Sequence, residues 1–195
     1  MEPVILSTER LVLRPFEPAD TDAVLAACQD PDIPRWTNVP SPYTREHAHD
    51  FVALACPKGW RDDATYNFAV TTKDGAFVGA IGLIHHAAGI SNRQSELGYW
   101  TAKEQRGHGY TAEAGRRLAL WAFEDLGVER LEWYAEVGNE GSRAVARSIG
   151  FQVEGVLRAR LVHQGVRRDA WLGALLPTDL GLPATSAYLP APERP

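Results

Sequence analysis

The chain reads as a mixed α/β fold, a central sheet with helices on both faces, and three observations predict it. Its first half holds short apolar runs separated by a Lys73-Asp74-Gly75 turn, the pattern of an antiparallel meander. Its second half alternates strand and helix periodicities, starting with the strand from Ser95 to Thr101 and the glycine turn behind it. At 195 residues, 45% hydrophobic and 23% charged, it fits one domain with a sizeable buried core rather than two.

Taken in order, residues 9 to 16 alternate Leu11, Leu13 and then Phe16 against polar neighbours, a first strand halted by Pro15. A helix follows, with Asp20 as N-cap, Val24 and Leu25 on its buried face and Pro31 marking its end. Residues 31 to 45 carry Pro31, Pro34, Pro40 and Pro42 around Arg35, Trp36 and Tyr43 and read as an irregular loop that can wall a pocket or simply cross the surface. A second helix is expected from His47 to Cys56. Phe68 to Val70 and Phe77 to Leu83 form the hairpin around Asp74-Gly75, and Ser95 to Thr101 completes the meander. Ala114, Leu118, Trp121 and Ala122 then recur at helical spacing, with Arg116 and Arg117 outward and Gly127 as the stop. Leu131, Trp133, Ala135 and Val137 alternate as a strand, Asn139 to Ile149 reads as a short helix ended by Gly150, and Phe151 to Leu157 and Ala170 to Leu176 close the sheet around a turn at Gln164-Gly165. The domain is expected to run from 1 to 176, with 177–195 a proline-rich tail on the surface.

Several function classes fall away on composition. The net charge of -5 disfavours a broad nucleic-acid-binding face. No apolar run approaches a membrane span and no secretory leader is visible, so a soluble cytoplasmic protein is expected. Cys28 and Cys56 lack metal-ligand spacing and read as packing residues. His85 and His86 are adjacent on a strand, so they point to opposite faces and no metal site is expected there. A serine hydrolase would need a Gly-x-Ser-x-Gly elbow, which is absent.

The informative stretch is Glu96 to Ala114. Gly107 and Gly109 remove side chains where the backbone turns tightly, which frees the N–H groups of residues 106 to 111 to converge on a phosphate at the start of a helix. Alone, Gly-x-Gly is a weak signal shared with dinucleotide sites and ordinary turns, and the third glycine of the dinucleotide fingerprint is missing. The flanks sharpen it. Glu96-x-Gly98-Tyr99-Trp100, Arg106-Gly-x-Gly109-Tyr110-x-x-Glu113-Ala114, Asn139-x-x-Ser142 and Gly150-Phe151-x-x-Glu154-Gly155 together resemble the GNAT N-acetyltransferases from about Thr8 to Leu176. Thr8-Glu-Arg-Leu-x-Leu-Arg14 and the Gly-Tyr-Trp strand are similar to the branch that contains ribosomal-protein-alanine N-acetyltransferases.

The resemblance implies a mostly antiparallel central sheet of about seven strands, acetyl-coenzyme A as acyl donor with other short acyl-coenzyme A thioesters open, no metal, an amine acceptor and a homodimer. It also implies donor contacts at Tyr99, Trp100, Thr101, Arg106, Gly107, His108, Gly109, Tyr110, Thr111, Asn139 and Ser142. Glu104 stands where many members carry Gln or Arg and is expected to point away from the cradle, leaving Arg106 as the basic contributor. Acyl transfer needs a neutral amine, hence a base. Glu96 is the candidate, with Glu136 the second choice. The glutamate that one mechanism of this branch places after the Glu-Gly pair falls here at Leu161 or a neighbour and is missing. Ser142 is the candidate donor to the departing thiolate, although Asn139 and Ser142 are also ordinary helix caps. Tyr110 is read as packing beside the donor, and His108 as either a phosphate contact or an exposed turn residue. Trp36, Tyr43 and Glu136 are candidate acceptor contacts, and residues 31 to 45 and 157 to 170 the acceptor walls. Arg158, Arg160, Arg167 and Arg168 read as a solvated face. The acceptor is a protein N-terminal amine or a small-molecule amine. A non-catalytic acyl-coenzyme A sensor would keep the cradle and lose the base.

Overall fold

The computed structural model describes residues 1–84 and 93–191. Eight strands make one open sheet: Leu6–Ser7 (β1), Leu11–Pro15 (β2), Thr65–Thr72 (β3), Phe77–Ile84 (β4), Gln94–Thr101 (β5), Arg130–Glu136 (β6), Gln152–His163 (β7) and Val166–Leu175 (β8). Their spatial order is β1-β2-β3-β4-β5-β6-β8-β7, and every neighbouring pair is antiparallel except β5 and β6. The eighth strand beyond the expected seven is β1, whose two residues are too short to show a period.

The helices are Thr21–Ala27 (α1), Asp32–Trp36 (α2), Arg45–His49 (α3), Cys56–Arg61 (α4), Tyr110–Glu124 (α5) and Glu140–Ile149 (α6), with a π turn, Asp50–Ala55, joining α3 to α4. Two expectations need correction. The proline-rich segment is not wholly irregular, because Pro34 falls in the first turn of α2, where its missing N–H costs nothing. The second helical stretch outruns His47 to Cys56 at both ends. Thr44 Oγ1 accepts from the His47 N–H at 3.3 Å to start it, and burial of Cys56 and Trp60 carries it past Pro57 and Gly59.

The two faces of the sheet carry separate cores. On one, Leu11, Leu13, Phe68, Ile81, Leu97 and Leu131 pack under Ala114, Leu118 and Ala122 of α5 and Ile149 of α6. On the other, Ala69 and Ala80 lie beneath Val24, Cys28, Ile33, Val52 and Cys56. The two cysteines are free, buried thiols, each pushed up to about 12 by burial. Pairing of β2 with β3 stops at Pro15 opposite Phe68, and Trp60 Nε1 donates to the Asn67 carbonyl just beyond it, at 3.2 Å. Among the described residues no helix is long and apolar enough to cross a membrane. The tail begins with a 3-10 turn, Pro177–Leu180, and continues along the surface, where Thr185 and Ser186 hydroxyls donate to Glu129.

Asp20 is not a side-chain N-cap. Its buried carboxylate takes two hydrogen bonds from Arg14, at 2.7 and 2.8 Å, and one from the Glu17 N–H at 2.8 Å. Burial works to raise this carboxyl, but the Arg14 and Glu17 hydrogen bonds outweigh it and hold it below the ordinary aspartate range. The stability this contributes is present above the unfolded carboxyl value near 4 and is lost as pH falls through the lower native value. Asp20→Asn is therefore expected to cost about 2 kcal/mol at neutral pH, with the difference from the native chain shrinking as pH drops below about 4. Urea unfolding at stepwise lower pH measures both.

Candidate active site

The site begins where the sheet splits. Strands β5 and β6 pair in parallel only through Gln94–Arg130, Ser95–Leu131 and Glu96–Glu132; beyond that register they part. Residues 97 to 101 of β5 stay paired with β4 on one side, and residues 133 to 136 of β6 stay paired with β8. Their facing edges have no ladder between them. One hydroxyl on α6 spans the gap. Ser142 Oγ accepts from Trp133 Nε1 of β6 at 3.0 Å and donates to the Tyr99 hydroxyl of β5 at 3.1 Å, while that phenol donates to the Ser142 carbonyl at 2.8 Å. Asn139 Oδ1 caps α6 by accepting from the Ser142 N–H at 3.1 Å. The capping reading thus holds for Asn139 alone; Ser142 supplies the N–H that is capped, and its side-chain oxygen faces the split instead. Burial pushes the Tyr99 phenol up.

The turn after β5 carries φ +80° at Gly107 and +77° at Gly109, a left-handed backbone that favours glycine. Among the described residues nothing accepts from the N–H groups of residues 107 to 112. The free set is displaced by one from the expected 106 to 111, because the Arg106 N–H closes a turn on the Lys103 carbonyl at 3.3 Å. With α5 starting at Tyr110, six donors and the positive helix end converge. Glu104 is exposed and lies off the cleft, as expected. The Arg106 guanidinium is already engaged, paired with Asp30 and Asp32 and donating to the Thr101 carbonyl at 3.2 Å. Thr101 Oγ1 and Thr111 Oγ1 share a hydrogen bond of 2.6 Å. His108 does not border the cleft; its ring stacks on Tyr110 at 5.3 Å, and the Arg10 guanidinium lies over the Tyr110 ring at 4.8 Å. Glu113, on the first turn of α5, binds Arg10 through Nε at 2.7 Å and Thr8 Oγ1 at 2.5 Å, so the motif near the N-terminus and the one in the helix meet. Burial works to raise the Glu113 carboxyl, and the Thr8 and Arg10 hydrogen bonds hold it low.

A cleft of about 1280 Å³ runs from this turn through the split and out under α2. Glu96, Tyr99, Trp100, Trp36, Tyr43, Glu136, Asn139 and Ser142 all border it. Residues 32 to 43 and 161 to 163 wall it, and His163 Nε2 donates to the Pro34 carbonyl at 2.8 Å, tying the two walls together. Glu136 is nearly buried and takes a bidentate pair from Arg35 at 3.0 and 3.1 Å, with Arg168 at 4.0 Å. The Arg35 hydrogen bonds are the main reason its carboxyl lies below the ordinary range. Arg35 also stacks over the Trp36 ring at 3.9 Å. Burial, with the Cys28 thiol close by, pushes the Tyr43 phenol up. His85 and His86 lie outside the described residues; among those described, no cluster of His, Cys, Asp and Glu could hold a metal.

Residues 10–152 match the model of the Acetyltransferase (GNAT) domain. The chain belongs to this family. Over 103 residues it is 44% identical to the "Putative ribosomal N-acetyltransferase YdaF" of Bacillus subtilis, a match spanning 53% of this chain and about half, 55%, of that relative. A solved "Probable acetyltransferase" shares 31% identity with a TM-score of 0.78, covering 89% of this chain and 97% of its own. RimL, the ribosomal L7/L12 alpha-N-protein acetyltransferase solved with coenzyme A, is 18% identical, with a TM-score of 0.79 and coverage of 89% and 98%; at that identity the likeness speaks to the fold. The mixed sheet with helices on both faces is thus the GNAT fold.

Sequence reasoning gave Arg35 no role and missed the Trp133–Ser142 bond. Neither leaves a local pattern, since Arg35 and Glu136 are 101 residues apart and Trp133 reads only as core. In this GNAT chain the Ser142 hydroxyl is the acceptor for a fully buried indole N–H. Ser142→Ala is expected to leave that donor unsatisfied and to cost about 1–2 kcal/mol, read by urea unfolding monitored through tryptophan fluorescence.

Proposed function

We propose that the chain is an acyl-coenzyme A-dependent N-acyltransferase that moves an acetyl group directly to a primary amine. The observation that carries this reading is the run of six unpartnered N–H groups, 107 to 112, set beside the unpaired edge of β5. The turn fits a pyrophosphate, and the strand edge offers backbone groups to an amide-bearing arm running towards the split. Arg106 would exchange part of its pairing with Asp30 and Asp32 for phosphate.

At the split, an N–H of β5 polarises the thioester carbonyl and stabilises the oxyanion that forms as nitrogen attacks. Glu96 takes the proton that the ammonium must lose. Against Glu136 as base stands its pair with Arg35, which favours a carboxylate that holds its charge and gives up its lone pairs. Ser142 Oγ accepts from Trp133, which strengthens its O–H as a donor; turning that O–H from Tyr99 towards the split would give the leaving thiolate a hydrogen bond. For the acceptor we favour a protein N-terminal amine, on the ribosomal-protein names of the relatives.

Calorimetric titration with acetyl-coenzyme A, free coenzyme A and succinyl-coenzyme A tests the cradle. The native chain should bind, and Gly109→Trp, which puts an indole into the turn at a left-handed φ, should not; failure of the native chain to bind any of the three overturns the reading. A screen of free-amine peptides and small amines then identifies the acceptor. In the same assay Glu96→Gln should lower kcat by about 10²–10³ while donor binding persists. An unchanged kcat would remove Glu96 as the base.

A further inference from the structure

One register row crosses three strands on the face opposite α5 and α6. Asn67 of β3 stands beside Gly82 of β4, and Gly82 beside Gly98 of β5. The flanking rows carry side chains at every position, Ala69-Ala80-Trp100 on one side and Thr65-Ile84-Glu96 on the other. Two successive glycines between them leave a trough that spans two inter-strand spacings, about 10 Å, from Asn67 to the split. Asn67, Gly82, Gly98 and Glu96 all border the cleft.

The Asn67 amide occupies this trough. A Cβ on Gly82 would come within 2.6 Å of Asn67 Oδ1 and 2.9 Å of the Tyr66 carbonyl, so the amide lies over bare glycine backbone. Asn67 Nδ2 donates to Thr65 Oγ1 at 3.2 Å, which orients the group, and Trp60 Nε1 holds the Asn67 carbonyl. Among the described residues nothing donates to Oδ1. Asparagine is disfavoured inside strands, and glycine there marks a close approach by something else.

We propose that the Asn67-Gly82-Gly98 row is the acceptor subsite and that Asn67 Oδ1 accepts a hydrogen bond from the acceptor chain lying along it, from a peptide N–H next to the attacking amine rather than from that amine itself. This rests on the acyl-transfer reading above. A peptide laid along the trough loses water from its backbone N–H, which then needs an acceptor. A carboxamide oxygen supplies one without competing for the proton, so it fixes where the acceptor chain lies while Glu96 does the deprotonation. The glycine floor lets the acceptor chain lie flat on the sheet, with its nitrogen at the split.

The test uses the full chain and whichever amine turns over best in the screen. Asn67→Leu, similar in size without the oxygen, should raise the acceptor KM about tenfold or more, while acetyl-coenzyme A titrates as in the native chain. Asn67→Asp, which keeps an oxygen in place, should restore most of the loss. Gly98→Ala adds a methyl whose nearest neighbour is Ile84 Cδ1 at 3.8 Å, so it folds without strain; it should raise acceptor KM by narrowing the trough. Acceptor KM unchanged in Asn67→Leu or in Gly98→Ala, with the native chain active, overturns this subsite and leaves the transferase reading standing. A native chain that transfers no acetyl group overturns both.

Discussion

The open sheet depends on the Ser142 hydroxyl. Two parallel strands that begin to pair at Gln94 and Arg130 would ordinarily continue, because unpaired backbone groups inside a protein are costly. Here the first turn of α6 binds both arms: Trp133 from β6 and Tyr99 from β5 converge on one residue. The bonds hold the arms at a set separation instead of letting them close. Asn139 fixes where that turn begins, so a helix cap becomes the spacer of a cleft.

The second constraint is how the two sides of the cleft are joined. The start of α5 is anchored to β2 by Glu113 with Thr8 and Arg10, and the glycine turn is tied to the α2 side by Arg106 with Asp30 and Asp32. Opposite them, His163 holds the β7–β8 hairpin to Pro34, and Arg35 holds α2 to Glu136. Four contacts between elements distant in sequence thus surround the split, each charge-paired or hydrogen-bonded. The backbone donors of 107 to 112 are left over because a helix start leaves its first N–H groups without intrahelical partners and, among the described residues, nothing else accepts from them.

What could be read from the sequence was what local geometry demands. Gly107 and Gly109 stand at left-handed positions, Asn139 and Gly150 bound a helix, and Ala114, Leu118, Trp121 and Ala122 are buried at helical spacing, so each announced itself. Elements ruled by packing or by a single residue's place in a turn did not. Pro34 looked like a breaker until its position in the first turn of α2 was known, and Pro57 and Gly59 hid the continuation into α4. Candidate site residues were legible as types but not as partners. Glu136 carried no mark of its distant arginine, and Asp20 read as a cap although its partner Arg14 lies six residues earlier on the neighbouring strand. Asn67 fell just outside the strand expected from Phe68 to Val70, and only register shows that two glycines make room beside it.

The account stands or falls on whether the bare N–H groups of the glycine turn take the donor's phosphates. Amide chemical shifts of the isotopically labelled chain, followed as coenzyme A is added, test this most directly. The largest shifts should fall on residues 107 to 112, with smaller ones along 99 to 101. Shifts centred elsewhere, with 107 to 112 unmoved at saturation, would contradict the cradle and the function built on it.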